Sequence, residues 1–171
     1  MPDYEVPEPI LNSPFDEPRE HWYIAEGEPP ERRSGRRMAM YYYRDPKAKP
    51  DKAAGSGPGV AIELKLVSRI RKRLQEWRRS GYVGASRTTL DLLAYWRRDG
   101  RKTRLFFAQF EAAETIIFLT EGRADLRQGL DIPVDEPSAE MQAEGFKPFV
   151  RFACKMATGS GKTTVMGMLA A

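Results

Sequence analysis

The stretch that decides the fold runs from residue 149 to residue 164 and reads FVRFACKMATGSGKTT. Residues 149–156 are rich in β-favouring side chains and contain neither glycine nor proline, so they predict a strand. A glycine-rich turn follows, and the apolar run that begins at Val165 is typical of a helix. Strand, glycine-rich turn, Lys-Thr pair and helix form the order of a phosphate-binding loop.

The residue types in this turn suit a magnesium-bound triphosphate. Gly159 and Gly161 lack a β-carbon, so the backbone can curl and point its N–H groups at the phosphates, as does the positive end of the following helix. Lys162 supplies a flexible cation for the phosphates, and the Thr163 hydroxyl can ligate Mg²⁺. The predicted nucleotide-binding residues are therefore Thr158, Gly159, Ser160, Gly161, Lys162, Thr163 and Thr164.

The motif departs from the general pattern at one place, because Met156 stands where that pattern has glycine. A glycine-rich turn that binds nothing is the alternative. The predicted strand before the turn and the apolar helix after it favour phosphate binding.

Residues 156–163, MATGSGKT, resemble motif I of superfamily 2 helicases and translocases, in the version found in type I and type III restriction motor subunits. Residues 105–115, LFFAQFEAAET, are similar to the Q-motif region of the type III restriction (Res) subunit and related DEAD/DEAH-like helicases. The resemblance implies ATP and Mg²⁺ as cofactors, Gln109 at the adenine edge, and Phe106 or Phe107 near the base. Gln109 precedes Lys162 by 53 residues, a longer spacing than in many such helicases, and the arginine often found before the glutamine is absent.

The resemblance also implies a full-length cytoplasmic protein that couples ATP hydrolysis to movement on DNA in a restriction system, with a modification methyltransferase as a possible partner. Hydrolysis needs an acidic motif that follows motif I in these motors. The chain ends eight residues after Thr163. We therefore expect a truncated product or fragment without a complete catalytic set and with little or no ATP turnover of its own.

The predicted fold class is α/β, with a helical region leading into the first strand and phosphate-binding loop of a truncated RecA-like parallel-sheet domain. Prolines predict sparse regular structure before residue 60, with short extended anchors at residues 12–15 and 22–24 and a flexible linker at residues 53–59. The predicted organisation is a proline-rich segment at 1–59, a basic helical region at 60–121, an acidic loop or insertion at 122–148, and the strand, loop and helix start at 149–171.

Apolar residues at helical spacing predict three helices, at residues 62–79, 89–98 and 105–121. Thr88 is the predicted N-cap of the second helix. Proposed core-facing residues are Val67, Ile70, Leu74, Trp77, Leu92, Leu93, Trp96, Phe106, Phe110, Ala113 and Ile117. A short helix is also predicted near residues 138–143.

Charge is distributed unevenly along the chain, although its net charge is only +4. Residues 1–31 hold nine acids and one base, residues 32–104 hold twenty-one bases and six acids, and residues 105–171 hold six bases and nine acids. A segment this basic attracts polyanions, although long arginines also solvate helix faces. The candidate DNA-contacting residues are Arg69, Lys72, Arg73, Arg78 and Arg79.

A single cysteine, Cys154, excludes an internal disulfide and fits a reducing cytoplasm. With one histidine beside it, a structural zinc site is not expected, and Cys154 is predicted to be a small core residue. No apolar run is long enough for a membrane helix. Two alternatives stay open: another P-loop enzyme such as a kinase or an AAA-type ATPase, and a basic helical DNA- or partner-binding module with a vestigial loop.

Overall fold

A computed structural model describes residues 5–25, 28–43 and 60–171. The chain divides into two compact units, Met1–Ser68 and Arg69–Ala171. The predicted linker at residues 53–59 lies outside the described residues. Among the helices of the described residues, none combines the length and apolar character that crossing a bilayer requires.

The first unit is built from two antiparallel hairpins. Strand β1 (Glu20–Tyr23) pairs with β2 (Glu31–Ser34), and β3 (Met40–Tyr43) pairs with β4 (Val60–Glu63). The sequence predicted little regular structure here. The strands form because every proline of the segment lies outside them, so no ladder donor is lost.

Asn12, in the predicted anchor at residues 12–15, fixes the start of β1. Its Oδ1 accepts a hydrogen bond from Arg19 N at 2.8 Å, and its Nδ2 donates to Glu20 O at 2.9 Å. The Asn12 side chain takes the place of a neighbouring strand for these main-chain groups.

The second unit is mainly helical. Its long helices are α1 (Lys65–Arg79), which begins just before the division between the units, α2 (Arg87–Arg97) and α3 (Phe107–Glu121). Shorter elements follow: α4 (Ala124–Arg127), β5 (Val134–Asp135), α5 (Ala139–Ala143), β6 (Phe149–Val150) and α6 (Lys162–Ala170).

The three long helices and the short helix near residues 138–143 are confirmed, with corrected starts. The first begins at Lys65 because residues 60–63 pair in β4. The second begins two residues earlier than predicted, and Ser86 is its N-cap in place of Thr88, since Ser86 Oγ accepts a hydrogen bond from Thr89 N at 3.2 Å.

The predicted strand at residues 149–156 is wrong beyond its first two residues. Only Phe149–Val150 is extended and paired, and its partner is β5 in an antiparallel arrangement. The described residues contain helices and small antiparallel sheets, without a parallel sheet. A parallel ladder needs a second strand that arrives by a crossover connection, whereas β5 lies close enough in sequence to pair antiparallel.

The core prediction for Cys154 is also wrong. It lies in the unpaired stretch after β6 and is exposed. Neighbouring atoms still desolvate its sulfur and raise the pKa of Cys154, which keeps the thiol protonated and weakly reactive.

Helix α3 is the centre of the second unit because it contributes to both hydrophobic clusters. In one, Leu74 and Trp77 of α1 pack with Phe118. The other joins α2, α3 and α6 through Leu93, Trp96, Phe110, Ala113 and Met168. Val67, in the first turn of α1, was predicted to face the core but is exposed.

A buried carboxylate joins these helices. Glu114 of α3 is fully buried and accepts hydrogen bonds from Arg78 Nε at 3.0 Å, Arg97 Nη2 at 3.1 Å and the Tyr82 hydroxyl at 2.6 Å. Since both carboxylate oxygens are paired, the charge is tolerated in the core and fixes how α1, α2 and α3 meet.

Candidate nucleotide-binding loop

The glycine-rich turn closes on itself just before α6. Ser160 donates to Ala157 O twice, from its main-chain N at 3.3 Å and from its Oγ at 2.7 Å. Gly159 has a φ of 78°, and Gly161, the N-cap of α6, has φ 79° and ψ 45°. Both glycines therefore occupy a left-handed conformation that residues with a β-carbon rarely adopt.

Main-chain donors gather at this turn. In the described part of the chain, the N–H groups of Gly159, Gly161, Lys162 and Thr163 donate to no other group. The last two belong to the first turn of α6, where the helix dipole places positive potential. Unpaired N–H groups at a left-handed turn before a helix form an anion-binding arrangement.

The two side chains predicted to handle phosphate and metal follow directly. Lys162 Nζ donates to Ala157 O at 2.9 Å, so its ammonium reaches from the end of the turn back to its start. Lys162, Thr163 and Thr164 are all exposed. A cation, a hydroxyl and unpaired amides thus share one exposed turn, which fits the chemistry of a triphosphate and of the Mg²⁺ that such a nucleotide brings.

Carboxylates do not converge at this turn. Within the ranges 5–25, 28–43 and 60–171, no group of three or more His, Cys, Asp or Glu side chains could hold a metal ion. The assignment of Thr163 to Mg²⁺ stays a prediction from the sequence.

Gln109 lies against the turn although 51 residues separate it from Ser160. Its Nε2 donates to Ser160 O at 3.1 Å, and its Oε1 accepts from Phe106 N at 2.9 Å at the start of α3. Only 6% of Gln109 is exposed. The Gln109 side chain therefore caps the N-terminus of α3 and also hydrogen-bonds to the main chain of the glycine-rich turn.

This contact leaves no room for a side chain at Gly161. A β-carbon built there would lie 2.0 Å from Gln109 Nε2, whereas one built at Gly159 would meet nothing within 4 Å. Glycine is thus favoured at 161 by the left-handed backbone conformation, and a larger residue would also displace the Gln109 amide.

Helix α6 is attached to the helical core through two apolar side chains. Val165 and Met168 are buried, and Met168 packs in the cluster that contains Phe110 of α3. Phe110 follows Gln109 in sequence. The same two helices therefore hold both the turn and the glutamine that contacts it.

The candidate DNA-contacting residues do not share one environment. Arg69, Lys72 and Arg73 line a cavity of 360 Å³ between α1 and residues 128–130. Arg69 Nη1 donates to Gly129 O at 3.0 Å, and no group of the described residues pairs with Lys72. Arg79 is exposed.

Arg78 is the exception in this group. Its guanidinium pairs with the buried Glu114, and 19% of its side chain is exposed. It is therefore committed to the core, and we remove it from the set of DNA-contacting candidates.

Glu114 was not predicted from the sequence, although its spacing from buried aromatic residues of α3 indicates it. Phe110, Glu114 and Phe118 are spaced four residues apart, so they lie on one face of α3. A carboxylate between two buried aromatic residues on one helix face predicts a buried partner cation.

Comparisons of the chain with protein-family models, with curated proteins and with solved structures find no match. The functional inference therefore depends on the chain's own residues.

Proposed function

We propose that this chain binds ATP with Mg²⁺ and is the ATP-binding part of a DNA helicase or translocase, resembling the type III restriction Res subunit. In this function Lys162 contacts the phosphates, Thr163 holds Mg²⁺, and the amides of Gly159 and Gly161 donate to phosphate oxygens. A RecA-like parallel sheet and DNA-coupled hydrolysis belong to the same proposal.

One observation carries the proposal. Gln109, selected for its sequence context near Phe106, contacts the main chain of the glycine-rich turn at Ser160. The unpaired N–H groups of the same turn supply the chemistry that binds an anion. Gln109 was assigned to the nucleotide because the glycine-rich turn follows it in the sequence, and a motor ATPase uses both.

The test is nucleotide binding by a lysine variant with a matched control. We expect fluorescent ATP, titrated with Mg²⁺ present, to bind the unmodified chain. Lys162→Ala should weaken binding about 10- to 100-fold, because a cation paired with phosphate is removed. Lys155→Ala removes another exposed lysine seven residues upstream and should change affinity less than about twofold. Equal reductions in the two variants would reject the phosphate site.

A second candidate is a P-loop enzyme outside the helicases, such as a kinase or an AAA-type ATPase. It is favoured by the placement of Gln109, whose amide nitrogen and oxygen both have partners inside the protein. Adenine reading by Gln109, with Phe106 or Phe107 near the base, predicts that Gln109→Ala lowers the preference for ATP over GTP. An unchanged preference would favour the second candidate.

A further inference from the structure

The first unit contains a cavity of 540 Å³ between its two hairpins. Its lining combines apolar residues with aromatic and basic side chains: His21, Tyr23, Arg33, Arg36, Arg37 and Tyr42. A cavity of this size lies within the range of about 300–1,000 Å³ seen for small-ligand sites. It has room for a planar ring system and the polar group attached to it.

The aromatic walls are accessible and already stack against cations. Tyr23 and Tyr42 are each 41% exposed. The Arg33 guanidinium lies 3.6 Å from the centroid of the Tyr23 ring, and the Arg37 guanidinium lies 5.8 Å from that of Tyr42. The Arg33 guanidinium is therefore stacked on the Tyr23 ring, whereas the Arg37 guanidinium is held at the hydroxyl of Tyr42.

Strand geometry separates Tyr42 from its neighbours. Successive side chains of a strand point to opposite faces, so Tyr42 lines the cavity with Met40 while Tyr41 and Tyr43 lie on the other face of β3. All three tyrosines are exposed to a similar degree. Tyr41 is therefore a matched control for Tyr42.

The charge of the cavity wall is positive. Among the described residues that line it, the ionisable ones besides His21 and the two tyrosines are three arginines, and none is a carboxylate. Arg33 pairs with Glu31 at 2.6 Å and Arg36 with Glu17 at 4.0 Å, both just outside the wall. The Arg33 pair is exposed and contributes little, so a phosphate oxygen can replace its carboxylate, whereas a phosphate at Arg36 has to displace a partly buried partner. Arg37 donates to the Tyr42 hydroxyl at 2.6 Å.

A recessed wall selects for unpaired bases. A base inside a duplex is stacked and paired, and it enters such a cavity only after being extruded. A base of a single strand has a free π-face that can stack on tyrosine and arginine, while its phosphates take the place of the present partners of the guanidinium groups.

We propose that this cavity of the first unit binds single-stranded nucleic acid, with one base stacked on Tyr42 and the flanking phosphates on Arg36 and Arg37. The site is built entirely from residues of the first unit. It is independent of the glycine-rich turn and goes beyond the proposed ATP site.

The test is fluorescence anisotropy with the full chain and labelled oligothymidylate of about 15 nucleotides, long enough for one site. We expect the strand to bind more tightly than a duplex of equal length, and oligouridylate serves as the RNA probe of the same chemistry. Tyr42→Ala should weaken binding about tenfold or more, because the base no longer stacks on a ring. Tyr42→Phe keeps the ring and should bind as the unmodified chain does, as should Tyr41→Ala.

The arginines are tested through salt dependence. Replacing Arg36 and Arg37 together by alanine should reduce the slope of log affinity against log salt by about 0.7 for each phosphate that is no longer neutralised. Lys162→Ala should leave strand binding unchanged, which separates this site from the ATP site.

Four results would overturn the proposal: no strand binding at about 50 mM salt, where phosphate contacts are strongest; a preference for duplex; equal reductions in Tyr41→Ala and Tyr42→Ala; or equal binding of polyglutamate that does not depend on Tyr42. The last result would identify the cavity as a general polyanion site or an acidic-peptide site.

Discussion

Gln109 and Gly161 show how much of the candidate ATP site depends on a single pair of residues. Gln109 Nε2 reaches the carbonyl of Ser160, and that approach is possible because Gly161 has no side chain. Gly161 and Gly159 share nearly the same positive φ, but of the two only Gly161 would bring an added β-carbon into contact with Gln109. The two glycines therefore separate the cost of backbone conformation from the cost of contact.

Gly161→Ala should weaken nucleotide binding more than Gly159→Ala does. Both variants carry the left-handed penalty of about 1–2 kcal/mol, but only the first forces Gln109 away from the turn. Urea unfolding and titration with fluorescent ATP measure the two effects.

Gln109→Ala provides the control for this comparison. It removes the atom that the new β-carbon would meet, so the double variant Gln109→Ala/Gly161→Ala should be no worse than Gly161→Ala alone. Additive effects on nucleotide affinity in the double variant would show that Gln109 and Gly161 are not energetically coupled through this contact.

Tyr82 is the second residue whose environment has a measurable consequence. Burial, followed by the hydrogen bond to Glu114, raises the pKa of Tyr82 above its ordinary value of 10.0. The folded chain therefore holds the phenol proton more tightly than the unfolded chain does. Stability from this group is fully present below pH 10 and is lost as pH rises from 10 through the higher pKa of the folded state.

Tyr82→Phe should be less stable than the unmodified chain at neutral pH by about 2 kcal/mol, since a hydrogen bond to a carboxylate is removed. The difference should narrow above pH 10, because the unmodified chain alone loses stability there through this group. Urea unfolding at a series of pH values tests this. Parallel pH profiles for the two proteins would contradict the assigned pKa shift.

At the scale of elements, the start of α2 is tied to the end of α3. Ser86 Oγ accepts from Thr89 N, Thr89 Oγ1 donates to Glu121 Oε1 at 2.8 Å, and Ser86 N donates to Glu121 Oε2 at 2.9 Å. Thr89 is buried. The cap therefore satisfies one helix terminus and also joins two helices.

Ser86→Ala should destabilise the second unit by about 1 kcal/mol, because the helix is no longer capped by a side chain. Thr88→Ala is the matched control, because Thr88 was the cap predicted from sequence and is exposed in the structure. Its replacement should change stability by less than about 0.5 kcal/mol. Thermal unfolding of both variants distinguishes the two residues, and the reverse order of effects would restore Thr88 as the cap.

At the scale of the whole molecule, the proposed binding of a polyanion depends mainly on the uneven distribution of charge along the chain. Basic residues of α1 outside the Glu114 cluster include Arg69, Lys72 and Arg73, of which Arg69 donates to Gly129 O and Arg73 pairs with Glu76. Phosphate contacts by such residues are independent of base sequence and sensitive to salt.

The double variant Arg69→Ala/Lys72→Ala should weaken duplex binding and reduce the salt slope by about 0.9 for each phosphate that these side chains neutralise. Arg87→Ala/Lys102→Ala removes one arginine and one lysine from elsewhere in the second unit and is the matched control. Duplex titrations at several salt concentrations measure both slopes. Identical slopes for the two variants would mean that net charge alone attracts DNA.

Local features were predictable from the sequence because their causes lie within a few residues. Apolar spacing located the three long helices, and α1 and α3 end at the predicted Arg79 and Glu121. The two glycines of the glycine-rich turn were also predictable, since a left-handed backbone is a property of the single residue, and both adopt it.

The tertiary structure alone decided which distant groups meet. It placed Gln109 on the glycine-rich turn, withdrew Arg78 into a buried ion pair with Glu114, and paired residues 149–150 antiparallel with β5. Sequence spacing identifies a charged or extended residue but not its partner. For Arg78 the partner is selected by packing around α3, where a buried charge must be paired; for residues 149–150 it is β5, the strand that lies near in sequence.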